Sequence, residues 1–154
     1  MMIDTEVYKT TTGKQAYMLG VVVFDNTGNI QFNIGYQLLP AFEEIYNNPK
    51  EHATAYNKVR STMFNLWYSD ELNDELYSII DDYGITTIYG YNVGYDVYML
   101  KQAGVDILSN LLGCGVVKTL DLLRFATLNI LPTKAYCNYC KKHHAYNRNG
   151  LVSA

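Results

Sequence analysis

Apolar and polar positions alternate with a period of two near the N-terminus, where Ile30, Phe32, Ile34 and Tyr36 are separated by polar or small residues. Such alternation marks strands. Three stretches carry it or an equivalent apolar run: Met2 to Tyr8, Ala16 to Phe24 with Val21-Val22-Val23 inside it, and Ile30 to Leu39. The segments between them, Thr10-Thr11-Thr12-Gly13-Lys14 and Asp25-Asn26-Thr27-Gly28-Asn29, are rich in residues that accept turn geometry. Links this short join antiparallel neighbours, so the pattern predicts a three-stranded meander.

From Ala41 to about Asp82 the apolar spacing turns helical. It predicts one helix over Pro49 to Leu66 and a second over Ser69 to Ile80, with Asp70 and Glu71 in a first turn that favours acids. Ile85 to Tyr91 is a β-branched run of the kind found in buried strands. Asn92 is placed to cap a helix running through Leu100. Gly115 to Leu120 predicts another strand, and Asp121 to Leu128 a helix that stops at Leu131-Pro132. A meander that hands over to alternating strands and helices predicts an α/β fold with a mixed sheet and helices on its faces.

Composition changes this picture little. The 154 residues suit a single domain, 1–154, able to bury a core of its own. No window approaches the roughly 18 consecutive apolar residues of a membrane span, and Met1-Met2-Ile3-Asp4 has no cationic region ahead of an apolar one. No membrane partner and a cytoplasmic location are therefore expected. Three cysteines do not make a disulfide framework. The net charge of -3 excludes a protein that coats nucleic acid by bulk phosphate neutralisation. That average hides an asymmetry: after Asp121 come Arg124, Lys134, Lys141, Lys142 and Arg148 and no carboxylate. The 15 tyrosines read either as the product of an A/T-rich coding sequence or as a base-stacking surface.

Candidate chemistry begins in the first strand. In Ile3-Asp4-Thr5-Glu6 the two-residue spacing puts Asp4 and Glu6 on one face, where like charges repel unless water or a cation separates them. Both are set in an otherwise apolar strand, and buried acids need a metal or a partner. A second constellation, Tyr89-Gly90-Tyr91-Asn92-Val93-Gly94-Tyr95-Asp96, puts an Asn at a strand end and an Asp early in the following helix. Were Asp96 to reach the edge where Asp4 and Glu6 lie, three hard oxygen ligands would converge. That donor set suits Mg²⁺ or Mn²⁺ and not zinc. Alone, Asp96 also reads as a helix-dipole acid.

Asp4-Thr5-Glu6 resembles the first motif of the DEDD superfamily of 3'-to-5' exonucleases. Asn92-x-x-Tyr95-Asp96 resembles that family's second motif, and Asp4 and Asp96 lie 92 positions apart. Leu120 to Ala126 is similar to a helix-start segment of the same family, mostly structural in role. The resemblance covers nearly the whole chain and is closest to proteins encoded by bacteriophages, which would place it in the host cytoplasm. It implies a ribonuclease H-like fold and a two-ion phosphodiester hydrolase acting at the 3' end of single-stranded DNA or RNA. Asp4 would bridge both ions, Glu6 would hold the ion that activates water, and Asp96 would hold the leaving-group ion. Thr5, Asn92 and Tyr95 would serve the substrate side, with Asn92 mainly supporting its helix. Two cations about 3.5–4 Å apart stabilise the entering and leaving oxygens of an in-line displacement.

The family's third motif, H-x4-D or Y-x3-D on a last helix, has no counterpart. His143 is followed by Arg148 where the acid belongs, and His144 by the neutral Asn149. Asn149-Gly150 reads as a turn and Ser153 as a helix cap, so the last helix is expected to be missing. The expectation is a weak or inactive nuclease. The alternative is a catalytically silent module of the same fold that binds nucleic acid or a protein partner. Within the basic segment at about 132–150, Cys137-x-x-Cys140-x-x-His143 has the half-site spacing of a zinc knuckle. A plain surface loop carrying two thiols fits the same residues, and Cys114 or His52 could complete a zinc site only if the fold brought them near.

Overall fold

The computed structural model describes residues 1–11, 13–39, 41–61 and 65–143. The expected meander is present as β1 (Met2–Thr10), β2 (Gly13–Phe24) and β3 (Ile30–Leu38), paired antiparallel in sequence order. The β2–β3 turn is closed by Asp25, whose carboxylate accepts from the backbone and side chains of Thr27 and Asn29 and from Gln31. Those bonds, Thr27's hydroxyl first and then Asn29's backbone, hold its carboxyl well below the ordinary range. The turn chemistry legible in Asp25 to Asn29 is thus the physical fastening of the hairpin.

After α1 (Ala41–Asn47), where the spacing predicts one helix over Pro49 to Leu66, there are the helix α2 (Ala53–Ser61) and the start of β4 (Asn65–Trp67). Pro49 falls in the break between the helices, as a residue without an N–H should. α3 (Ser69–Asp82) comes next, its first turn drawn back by a 3.0 Å bond from Tyr68 N–H to Glu71 Oε2. Then come β5 (Thr87–Gly90), α4 (Val93–Gln102), α5 (Ile107–Gly113), β6 (Lys118–Asp121), α6 (Leu122–Asn129) and α7 (Lys134–His143). The strand expected from Gly115 pairs only from Lys118, and α5 has no counterpart in the apolar pattern. Asn73 of α3 ties α5 down, donating to Gly104 O and accepting from Ile107 N–H, both at 3.0 Å. The region expected to be a Cys/His loop is helical over 134–143.

The six strands form one mixed sheet in the order β4-β3-β2-β1-β5-β6. β4 is parallel to β3, β5 to β1, and β6 to β5. The fold is α/β, with a hydrophobic cluster on each side of the meander. One gathers Ile3, Leu19 and Val21 with Leu72 and Leu76 of α3, Leu100 of α4 and Leu108 of α5. The other gathers Tyr8, Tyr17 and Met18 with Ile45 of α1 and Ala55 and Val59 of α2. A register shift between Glu6 and Val7 leaves Tyr17 of β2 as the extra residue, and Tyr17 and its sequence neighbour Met18 both belong to the second cluster. Among the described residues no helix is long and apolar enough to cross a membrane.

Candidate active site at the ends of three parallel strands

β1, β5 and β6 are neighbours and run parallel, and their carboxyl ends lie at one edge. β1 pairs with β5 only at Met2↔Tyr89, so Asp4 to Glu6 extend beyond the last residues of β5. In open α/β sheets this edge is where ligands bind. Each of the three strands delivers an acid there: Asp4 and Glu6 from β1, Asp96 from the helix after β5, and Asp121 as the last residue of β6.

Asp96 arrives by helix periodicity. Val93, Val97 and Leu100 form the apolar stripe that packs α4 into the first cluster, and Asp96 lies on that stripe, only 4 % exposed. Its Oδ1 accepts from both donors of Thr5, the hydroxyl at 2.6 Å and the backbone N–H at 3.2 Å. Its Oδ2 is buried with no hydrogen-bond partner. Burial pushes the Asp96 carboxyl above its ordinary value; the Thr5 bonds oppose the rise, and the charges of Asp4 and Asp121 add to it.

Asn92 enters α4 in the left-handed region (φ 65, ψ 45), which Asn tolerates, and makes no side-chain cap. The expected side-chain cap is replaced by backbone bonds. Asn92 O accepts from Tyr95 N–H at 2.8 Å, and Asn92 N–H donates to Asp121 Oδ1 at 3.2 Å. Asp121 Oδ1 also accepts from Arg124 N–H at 3.1 Å, so one carboxylate caps α6 and pins the start of α4. Gly90 allows the approach: a Cβ there would stand 3.0 Å from Val93 Cβ and 3.1 Å from Ile3 O.

Asp4 and Glu6 emerge on the other face of β1 from Thr5, towards α2. Lys58 of α2 is ion-paired with Glu6 Oε1. Asp4 is exposed and Glu6 partly exposed, so neither is the buried acid that the apolar strand suggests; partial desolvation still raises the Asp4 carboxyl, the Glu6 charge adds to this, and Lys58 opposes it. Of the residues expected on the substrate side, Thr5 spends both donors on Asp96. Tyr95 turns a buried hydroxyl inward without a partner, and the Lys14 ammonium lies 5.5 Å from its ring centre.

Hard carboxylate oxygens, one of them buried and unpartnered, are the donor chemistry of a Mg²⁺ or Mn²⁺ site. Among the described residues no three His, Cys, Asp or Glu side chains are grouped to hold an ion. Cys137 is exposed on α7, its Sγ 3.8 Å from Leu131 O, while the side chains of Cys140 and His143 lie outside the described residues. His52 is elsewhere, 3.5 Å from Glu44 Oε1 and edge-on to Tyr8. The positions compared with a third motif, 144–149, are likewise outside the described residues.

No protein-family model matches the chain, and no curated protein matches it at a significant level.

Lys58 and the second role of Asp121 are not legible in the sequence. Asp121 is visible there as a helix start, but its bond to Asn92 depends on β5 and β6 being neighbours. Lys58 carries no signal, since the helical spacing runs through it from Pro49 to Leu66 without marking the end of α2.

Proposed function

We propose that the chain is a ribonuclease H-like module of the DEDD exonuclease type, which holds divalent cations at Asp4, Glu6 and Asp96 and engages the 3' end of single-stranded DNA or RNA. One observation carries the reading: the two motifs meet, with Thr5 of the first bonded twice to Asp96 of the second, whose remaining oxygen is buried and unpartnered. The carboxyl-end position at adjacent parallel strands supports it. Bound cations would supply Lewis-acid polarisation of the phosphoryl oxygens and a water acidified for attack. Asp4 and Glu6 would anchor them from β1 and Asp96 from α4, with Thr5 fixing the Asp96 carboxylate and Asp121 fixing the helix that carries it.

These 154 residues hold no carboxylate after Asp121, so the fourth acid of the family pattern is lacking. That favours binding of the strand with slow or no cleavage over efficient turnover. The test is a 5'-labelled single strand incubated with the purified chain and Mn²⁺. Saturable, Mn²⁺-dependent binding with little or no 3' trimming is expected. Trimming at about one nucleotide per second or faster would show the site to be complete without the fourth acid. Absence of Mn²⁺-dependent strand binding would remove the reading.

A further inference from the structure

A cleft of about 700 Å³ opens between residues 8–11, at the end of β1, and helix α1 with the link that follows it. That volume suits a small molecule. Its charged lining is Glu43 and Glu44 of α1, Glu51 of the link and Lys9 of β1, so three carboxylates face one ammonium. None of Asp4, Glu6 and Asp96 lines it. His52 forms part of the wall and is fixed there: its backbone N–H donates to Asn48 O at 3.1 Å, its carbonyl accepts from Tyr56 N–H at 2.8 Å, and its ring stands edge-on to Tyr8. The side chain is only 10 % exposed. Its Nε2 is nevertheless buried with no hydrogen-bond partner, 3.5 Å from Glu44 Oε1. That oxygen is oriented by Asn48, whose Nδ2 donates to it at 3.1 Å. With the ring proton on Nδ1, Nε2 and Glu44 Oε1 are two acceptors side by side, and the group missing between them is a donor.

We propose that this cleft binds a linear aliphatic diamine or triamine, one ammonium of which donates to His52 Nε2 and Glu44 Oε1 while a second is balanced by the charges of Glu43 and Glu51. An ammonium brings three donors, no acceptor and a positive charge, which is what the gap beside His52 lacks. The acids are spread along the wall: among the described residues no three His, Cys, Asp or Glu side chains are grouped to hold an ion. Spread charges fit a ligand whose own charges are spaced along a chain, and not a single metal ion. The proposal stands independently of the cation-site reading above.

The test is calorimetric titration of spermidine, at fixed ionic strength, into the full chain and into Glu44→Gln, His52→Phe and Asp74→Asn, each checked for folding by circular dichroism. Asp74 is exposed on α3 and does not line the cleft, so its variant makes the same change of net charge elsewhere. His52→Phe keeps a ring against Tyr8 and removes Nε2. Saturable binding at one site is expected from the wild type and Asp74→Asn alike, about tenfold weaker in Glu44→Gln and about fivefold weaker in His52→Phe. Butylamine, with one ammonium, is expected to bind about tenfold less tightly than putrescine, which has two. Glu44 is 54 % exposed, so Glu44→Gln decides the outcome should His52→Phe misfold. Equal weakening by Asp74→Asn and Glu44→Gln would reveal non-specific attraction to an acidic protein and overturn the proposal. So would failure of the folded wild type to saturate, wild-type affinity in Glu44→Gln, or displacement of spermidine by Mg²⁺ at the same ionic strength. None of these outcomes bears on Asp4, Glu6 and Asp96.

Discussion

Asp96→Asn is expected to raise the melting midpoint at neutral pH while weakening Mn²⁺ binding about 100-fold, the upper end of what even outer-shell partners of a metal are worth. Both effects come from one group. The asparagine carbonyl can still accept from Thr5, but the buried oxygen with no partner no longer carries charge. The amide nitrogen in its place is still unpartnered, so the gain is only the excess cost of burying a charge over a neutral polar group; at about 1 kcal/mol this is a rise of roughly 2–4 °C for a chain of this length.

The pH dependence has a definite sign. The Asp96 carboxyl is raised in the folded state, so the fold binds its proton more tightly than the unfolded chain does. That contribution is fully present below the unfolded carboxylate value of 3.8 and is lost as pH rises through the folded value. The advantage of Asp96→Asn should therefore be present at neutral pH and fade as the solution is acidified through the carboxylate range. Melting curves from neutral pH downward check this, and a variant less stable than wild type at neutral pH would show the Asp96 charge to be compensated within the fold.

Gly90→Ala is the second large effect. Gly90 has no left-handed backbone to excuse its identity; it is small because β1 and the start of α4 converge on it. An added methyl meets Val93 Cβ at 3.0 Å and the Ile3 carbonyl at 3.1 Å, and the carbonyl belongs to a strand already fixed in its ladder. Overpacking of this kind costs about 1–3 kcal/mol, against roughly 0.4–1 kcal/mol returned by a less flexible unfolded chain. The net expectation is a destabilisation of about 1–2 kcal/mol in denaturant unfolding, with weaker Mn²⁺ binding as α4 carries Asp96 away from Thr5. Equal stability would mean that Val93 yields without disturbing the helix.

The parts of the fold legible in the sequence are those governed by local pattern. β1 to β3 arise from period-two runs and their turn residues, and α4 is placed by the helical stretch that opens at Asn92, although the burial of Asp96 on it shows only in the packed fold. The elements that escape such patterns are short or depend on distant neighbours. β4 has three residues, too few for a period, and exists because β3 offers an edge. α1 and α5 have seven residues each, and α5 depends on Asn73 of α3. At the site, the D-x-E spacing places Asp4 and Glu6 on a shared face, whereas Thr5 holding Asp96 and Lys58 holding Glu6 are contacts across 91 and 52 positions that no local pattern encodes.

Whether the two acids of β1 form a divalent-cation site is decided by calorimetric titration of Mn²⁺ into the wild type and into the Asp4→Ala, Glu6→Ala double variant. Saturable binding by the wild type and none by the double variant is predicted, with both proteins folded. Absence of binding by the folded wild type, or equal binding by the double variant, would show that these carboxylates hold no cation.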